Sequence, residues 1–162
     1  MNEKRRLLGM TLDELKGVAF EAGLPGYAAK QMADWLYKKK VTSIAAMTNI
    51  ASAKRALLEK NFEVGAVPPS DLMKSVDGTI KYLYPAGPGN FVESVYIPTE
   101  DRATLCVSSQ VGCKMNCLFC MTGKQGFTKN LSANEILNQI QSLPETEELT
   151  NIVFMGMGEP LD

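Results

Sequence analysis

The chain of 162 residues contains no histidine. This absence removes the most common general base of enzyme active sites and excludes zinc sites with mixed cysteine and histidine ligands. The sequence also has no apolar run of the roughly 18 residues that a membrane-spanning helix needs. Its N-terminal segment, MNEKRRLLGMTLDELKG, lacks the apolar core of a secretory signal. We therefore expect a cytoplasmic protein that does not contact the membrane.

Cysteine is scarce and confined to one stretch. The four cysteines are Cys106, Cys113, Cys117 and Cys120. Disulfide scaffolds distribute their cysteines so that distant segments are joined. A tight cluster in a cytosolic chain is more typical of metal binding. The cysteine pattern therefore predicts a metal centre.

Charge is unevenly distributed along the chain. Residues 1–61 contain 11 Lys and Arg against 6 Asp and Glu, a net charge of +5, whereas residues 62–162 contain 6 against 12, a net charge of −6. A basic first third permits contact with a polyanion such as a nucleic acid. A solvated helical surface produces the same pattern, and charge alone favours that reading.

Helical signals dominate the first third. Thr11 and Glu14 form the S/T-x-x-E pattern of a capping box and open a helix that ends at Gly23. Further helices are predicted over about 27–40, 43–47 and 52–61 from their apolar spacing. We interpret residues 1–66 as a small helical domain.

Strand signals follow after a Pro68-Pro69 linker. The runs Thr79–Tyr84, Phe91–Ile97 and Ala103–Ser108 alternate as strands do, and Asp77-Gly78 is a hairpin turn signal. Residues 67–102 are thus predicted to form a linker and antiparallel strands.

The last third predicts the start of a βα barrel over 103–162. A strand leads into the cysteine loop, a capping box at Ser132 and Glu135 opens a helix, and the apolar run Asn151–Met155 suits a buried parallel strand. The predicted fold class is α/β: a helical N-terminal domain, a short antiparallel β unit and the first βα units of an incomplete barrel.

The spacing Cys113-x3-Cys117-x2-Cys120 is the most informative motif. Three thiolates can hold three corners of a 4Fe–4S cluster and leave the fourth iron open to a ligand. A structural zinc site with Cys106 as fourth ligand is the alternative, but only one cysteine pair has the Cys-x2-Cys spacing that zinc prefers. The motif resembles the signature of radical-SAM enzymes, in which the open iron binds S-adenosylmethionine (SAM).

A glycine loop supplies a second motif. Gly156, Gly158 and Glu159 follow a predicted strand, where ligands bind in open α/β folds. Glycines allow a close approach of backbone to ligand, and Glu159 could accept from an ammonium group. The loop is similar to the one that holds the SAM amino group in radical-SAM enzymes, which predicts SAM as a cofactor beside the 4Fe–4S cluster.

Together these motifs identify a family. The stretches 105–113, 117–131 and 151–161, with sequences such as LCVSSQVGC and NIVFMGMGEPL, resemble the RlmN/Cfr family of radical-SAM RNA adenine methyltransferases. Residues 11–62 resemble the N-terminal RNA-engaging domain of that family. The resemblance implies methylation of adenosine C2 in ribosomal RNA (rRNA) and transfer RNA (tRNA), with an electron donor such as a flavodoxin-type protein.

The resemblance also implies roles for two further residues. Glu93 matches the proposed proton acceptor of the family, and Cys106 matches the cysteine that releases the RNA product by forming a transient disulfide. Without the resemblance, Glu93 reads as a solvent-facing strand residue and Cys106 as a buried thiol.

Two alternatives remain open at this point. The C8-methylating Cfr branch shares these motifs, and a non-catalytic nucleic-acid-binding module with a structural metal site would share the basic helical segment. The resemblance further implies a methyl-carrying cysteine near the C-terminus, and no cysteine follows Cys120. We therefore expect an N-terminal fragment that is inactive on its own.

Overall fold

A computed structural model describes residues 4–162 and shows a mixed α/β chain. This confirms the predicted fold class. The chain divides between Ala66 and Val67 into two compact units. Each unit is described by itself below.

The first unit is mainly helical. It contains α1 (Leu12–Glu21), α2 (Ala28–Ala33), which continues as a π-helical segment (Asp34–Lys38), a 3₁₀ turn (Ile44–Ala46) and α3 (Ser52–Asn61). Two short strands, β1 (Arg5–Arg6) and β2 (Phe62–Glu63), pair in parallel. The sequence predicts the helices but not this strand pair, since two-residue strands carry no periodicity.

The capping box predicted for α1 is confirmed. The Glu14 backbone N–H donates to Thr11 Oγ1 over 3.3 Å, and the Thr11 N–H donates to the Glu14 carboxylate over 2.6 Å. Gly23 follows the helix with a φ of 60°, in the left-handed region that glycine adopts at little cost. The capped helix buries Leu15 and Val18 in the core of the unit.

The second unit is built on a five-stranded sheet. Its strands are β3 (Asp71–Lys74), β4 (Ile80–Pro85), β5 (Phe91–Pro98), β6 (Ala103–Cys106) and β9 (Asn151–Val153), in the order β3-β4-β5-β6-β9. A two-stranded sheet pairs β7 (Gln110–Gly112) with β8 (Phe127–Asn130), and the helices are α4 (Met121–Lys124) and α5 (Ala133–Gln141).

Strands β4, β5 and β6 are antiparallel neighbours, as predicted. Strand β3 is not predicted from the sequence, because the segment DLMK has no β-branched or aromatic residue. Pairing with β4 across the Asp77-Gly78 turn makes it a strand.

One face of the sheet packs its apolar and aromatic side chains into the core of this unit, together with residues of α5. Two buried tyrosines fix the acidic loop that follows α5. The Tyr82 hydroxyl donates to the Glu145 carboxylate over 2.7 Å, and the Tyr96 hydroxyl donates to that of Glu148 over the same distance. The loop that leads into β9 is therefore anchored to the sheet at two points.

The last strand is only partly as predicted. β9 lies parallel to β6, with Cys106 opposite Val153, which confirms a parallel strand. The expectation that it is buried is wrong: Ile152 is 45% exposed and Phe154, just beyond the strand, is 48% exposed. The reason is its position at the edge of the sheet, where β6 is its only paired neighbour among the described residues.

No helix within residues 4–162 is long and apolar enough to cross a membrane.

Candidate functional site

The three clustered cysteines lie on a loop between β7 and α4. The Cys113 N–H donates to the Gly126 carbonyl over 3.1 Å, and the Cys120 N–H donates to the Cys117 carbonyl over 3.0 Å. Gly112 has a φ of 75°, and a Cβ there would lie 1.7 Å from the Gly126 oxygen. Glycine at this position therefore allows the two ends of the loop to meet.

The thiols of this loop suit thiolate ligation. All four cysteines are free, and Cys117 is exposed while Cys113 and Cys120 are half-buried. Backbone N–H groups of Gly123 and Thr122 lower the pKa of the Cys120 thiol, because they donate to the thiolate form. A thiolate is the form that binds iron or zinc.

The loop is not a preassembled metal cage. No group of three Cys, Asp or Glu side chains within residues 4–162 is close enough to hold a metal ion. Leu118 and Phe119 are each 91% exposed, so the segment between the thiols has little packing. The donor set of three free thiols fits a cluster ligated at three corners, and the exposed segment leaves the loop room to close around it.

The predicted disulfide is not supported. Cys106 is a free thiol, and the other three cysteines are also free. Cys106 lies on β6, and the C-terminal cysteine that the resemblance implies has no counterpart in this sequence, since no cysteine follows Cys120.

The glycine loop packs directly on the segment 107–110. A Cβ on Gly156 would lie 2.7 Å from Ser108 Oγ, and a Cβ on Gly158 would lie 2.5 Å from Gln110 Cβ. Gly158 also has a φ of 97°, which disfavours any side chain. Both predicted glycines are therefore required for this contact, which places the glycine loop against the chain that leads to Cys113.

Glu159 is held by the Gln110 side chain and by the backbone of Leu161. Its N–H donates to Gln110 Oε1 over 3.0 Å, and its carboxylate accepts from the Leu161 N–H over 3.2 Å. The side chain is half-buried. One carboxylate oxygen thus has a backbone donor while the group keeps access to solvent.

Glu93 and Cys106 share one face of the sheet. Val95 lies opposite Cys106 in the register of β5 and β6, and Glu93 is two residues from Val95 on the same strand. Side chains alternate along a strand, so Glu93 and Cys106 are diagonal neighbours on one face. The Glu93 carboxylate accepts from Lys81 Nζ over 2.9 Å, and both side chains are 44% exposed.

Cys106 is chemically distinct from Cys120. Burial raises the pKa of the Cys106 thiol, and the Met155 backbone only partly offsets this. Met155 precedes the glycine loop, so Cys106 lies next to the entry to that loop.

Three buried polar residues of this region are missing from the sequence prediction: Ser108, Gln110 and Gln139. Each is 1% exposed or less. The burial of Gln139 has a signal in the sequence, because Gln139 lies three residues after Ile136 and therefore on the apolar face of α5.

Two family models match parts of the chain. Residues 5–64 match the family model of the ribosomal RNA large subunit methyltransferase N-terminal domain, and residues 107–162 match the radical SAM superfamily model. The chain is 82% identical, over 162 residues, to the probable dual-specificity RNA methyltransferase RlmN of Parabacteroides distasonis, covering all of this chain and 47% of the relative.

More distant relatives show the same extent of similarity. The dual-specificity RNA methyltransferase RlmN of Geotalea uraniireducens is 46% identical over 159 residues, which are 98% of this chain and 46% of that protein. The crystal structure of a radical SAM methyltransferase from Sphaerobacter thermophilus superposes with a TM-score of 0.86 at 37% identity, covering 97% of this chain and 48% of that one. The chain thus spans about half the length of the curated relatives it matches.

The α/β fold, the three-cysteine loop and the glycine loop packed beside it define a radical-SAM protein. Within that superfamily, the similarity extends over the helical unit as well as the sheet. Along nearly its whole length the chain is similar to about half of the RlmN relatives.

Proposed function

We propose that this chain is part of a radical-SAM methyltransferase that methylates C2 of adenosine in large-subunit rRNA and in tRNA. The observation that carries the proposal is the contact between the glycine loop and residues 107–110, which places the proposed SAM-binding loop next to the chain that leads to the three free thiols. The names of its relatives as dual-specificity RNA methyltransferases support the same substrates.

The residues that would hold the cofactors lie on these two loops. Cys113, Cys117 and Cys120 would ligate a 4Fe–4S cluster, which supplies the electron for reductive cleavage of SAM. Gly156 and Gly158 would allow the methionyl part of SAM to approach the backbone, and Glu159 would accept from its ammonium group. A flavodoxin-type protein would be the electron donor.

Glu93 and Cys106 would act on the RNA base from one face of the sheet. The half-exposed Glu93 carboxylate, which forms an ion pair with Lys81, would accept the C2 proton. As the resemblance implies, the Cys106 sulfur would form a disulfide with the methyl-carrying cysteine of the C-terminal half, while the bond between that cysteine's sulfur and the carbon on the base breaks and its electron pair passes to the base. Burial raises the pKa of the Cys106 thiol, which keeps it protonated at neutral pH.

The helical unit would engage RNA. Its lysines include Lys38 and Lys39, which are exposed or half-exposed, and Lys39 Nζ lies 3.6 Å from the centre of the Trp35 ring. We infer a cytoplasmic protein, since rRNA and tRNA are found there.

An RNA methylation assay tests the proposal. Residues 1–162 alone, and the same residues extended by the C-terminal half of the Parabacteroides distasonis relative, would be incubated anaerobically with labelled SAM, a reductant, rRNA and tRNA. We expect 2-methyladenosine from the extended protein only. Formation of 8-methyladenosine would assign the Cfr-type reaction, and no product despite an intact cluster would overturn the proposal.

A further inference from the structure

Ser108 lies at a junction of three parts of the proposed site. It is fully buried and immediately follows Val107 at the end of the β6 segment. Its hydroxyl donates to the backbone carbonyl of Glu93 over 2.5 Å and accepts from the Met157 N–H over 2.9 Å. One hydroxyl therefore bridges the strand that carries Glu93 and the loop that carries Gly156 and Gly158.

The backbone of Ser108 is held from the other side by Gln139. The Ser108 N–H donates to Gln139 Oε1 over 2.9 Å, and Gln139 Nε2 donates to the Ser108 carbonyl over 3.0 Å. Gln139 is also fully buried and lies on the apolar face of α5. A buried amide that satisfies both backbone groups of one residue restricts that residue in two directions, because each broken bond leaves a buried polar group unpaired.

The Gln110 side chain also joins the segment 107–110 to the glycine loop. Gln110 Oε1 accepts from the Glu159 N–H, and the backbone N–H groups of Ser109 and Gln110 both donate to the Met157 carbonyl, over 2.8 and 3.2 Å. The glycine loop is thus held by the backbone bonds to 109–110, by the Gly156 N–H that donates to the Val107 carbonyl over 3.1 Å, by the Gln110 side chain and by the Ser108 hydroxyl. Of these contacts, only that of the Ser108 hydroxyl also reaches Glu93.

We propose that Ser108, held by Gln139, is a positioning residue that sets the glycine loop relative to the strand of Glu93. Neither side chain is needed as a ligand of the cluster or as a proton acceptor. Their contribution is to fix the position of the glycine loop relative to β5, the strand that carries Glu93. The effect of Ser108 on SAM binding rests on the proposed function. Its effect on the position of the glycine loop does not.

Hydrogen exchange of the 162-residue chain tests the positioning directly. The test variant is Ser108→Ala, which removes only the hydroxyl. The control is Ser109→Ala, because the backbone of Ser109 takes part in the junction while its hydroxyl makes none of these contacts. We expect Ser108→Ala to speed exchange about tenfold in the peptide that covers 154–160, the loss that one net hydrogen bond predicts.

The pattern of exchange separates positioning from general destabilisation. Amides of α1 and α3 in the first unit, and of β4 in the second, serve as internal references. Faster exchange confined to 154–160 and the neighbourhood of Glu93, with the thermal midpoint of the control retained, supports the proposal. Unchanged exchange at 154–160, or an equal rise at β4, overturns it.

A second pair of variants removes the support from α5. Gln139→Leu deletes both bonds to Ser108 at similar volume, and Gln141→Leu makes the same chemical change two residues further along the helix. We expect only Gln139→Leu to speed exchange at 154–160. Equal effects from both variants would overturn the role assigned to Gln139.

SAM binding is measured on the protein extended by the C-terminal half of the Parabacteroides distasonis relative, after anaerobic reconstitution, from the change that SAM causes in the electron paramagnetic resonance spectrum of the reduced protein. We expect Ser108→Ala to weaken SAM binding about tenfold at unchanged iron content, and Ser109→Ala to leave it unaltered. Equal SAM affinity of the two variants overturns the link to the cofactor. If the unmodified extended protein binds no SAM, the proposed function fails, and the exchange experiment on residues 1–162 still decides the positioning role.

Discussion

At the scale of single residues, backbone amides and burial make two of the four thiols chemically different. Amides of Gly123 and Thr122 lower the pKa of Cys120, whereas burial raises that of Cys106. The thiolate is the reactive species towards alkylating agents. In the metal-free protein near pH 7, iodoacetamide should therefore modify Cys120 well before Cys106.

The pH dependence of this labelling follows from the opposite directions of the two pKa shifts. Cys120 should become reactive below the ordinary thiol pKa of about 8.5 and Cys106 only above it, as followed by mass spectrometry of the labelled peptides. Labelling in urea is the control, because unfolding removes both effects and should make the rates similar. Preferential labelling of Cys106 at pH 7 in the folded protein would contradict this account.

Gly158 is the residue of the glycine loop with the strictest requirement. We predict that Gly158→Ala destabilises the protein more than Gly89→Ala. Both glycines have a positive φ, but a Cβ meets nothing within 4 Å at Gly89 and lies 2.5 Å from Gln110 Cβ at Gly158. Overpacking at Gly158 should add about 1–3 kcal/mol to the backbone strain that the two variants share.

Urea denaturation of the two glycine variants measures this difference in the free energy of unfolding. SAM affinity after reconstitution gives a second measurement, and we expect only Gly158→Ala to weaken it. Equal destabilisation by both variants would show that the packing of the loop on 107–110 is not required.

At the scale of elements, the sequence predicts those that carry their own signals. Thr11 and Ser132 form the predicted capping boxes at the starts of α1 and α5. Elements that have no signal in their own sequence are missed. β3 has no strand-forming composition, and β7 and β8 are too short to show alternation, so only their pairing makes them strands.

The residues of the candidate site also fall into two groups: those that the sequence predicts and those that only the folded structure shows. Spacing alone points to the three cysteines and the glycine loop, because their ligand chemistry depends on neighbours in sequence. The junction at Ser108 is formed with residues of β5, α5 and the glycine loop, of which Met157 lies 49 positions from Ser108. Such a contact is visible only in the folded chain.

The edge strand β9 leads to a prediction about association. Ile152 and Phe154 are about half exposed there, and an apolar strand edge favours pairing with a second chain. We expect the 162-residue chain to self-associate with rising concentration, and Ile152→Lys to reduce this. Sedimentation velocity measures the effect, with Val76→Lys, at an exposed position in the β3–β4 hairpin, as the control. Equal effects of the two variants would contradict the claim that self-association occurs through the edge of β9.

At the scale of the whole molecule, the charge difference between the two halves predicts where RNA binds. Replacing Lys38 and Lys39 by alanine should weaken binding of structured RNA and reduce its salt dependence by about two phosphate contacts. The matched control replaces Lys74 and Lys124 in the acidic half, which removes the same charge. RNA-binding constants at several salt concentrations measure the effect. An equal loss of RNA affinity in both double variants would show that the positive charge of residues 1–61 contributes to solubility and not to RNA binding.

The central claim is that three cysteines hold a 4Fe–4S cluster and that Cys106 does not. Iron and acid-labile sulfide measured in anaerobically reconstituted protein test it most directly, across single alanine variants of the four cysteines. We predict an iron-to-sulfide ratio near one, lost in Cys113→Ala, Cys117→Ala and Cys120→Ala and largely retained in Cys106→Ala. Zinc without sulfide, lost equally in all four variants, would contradict the account.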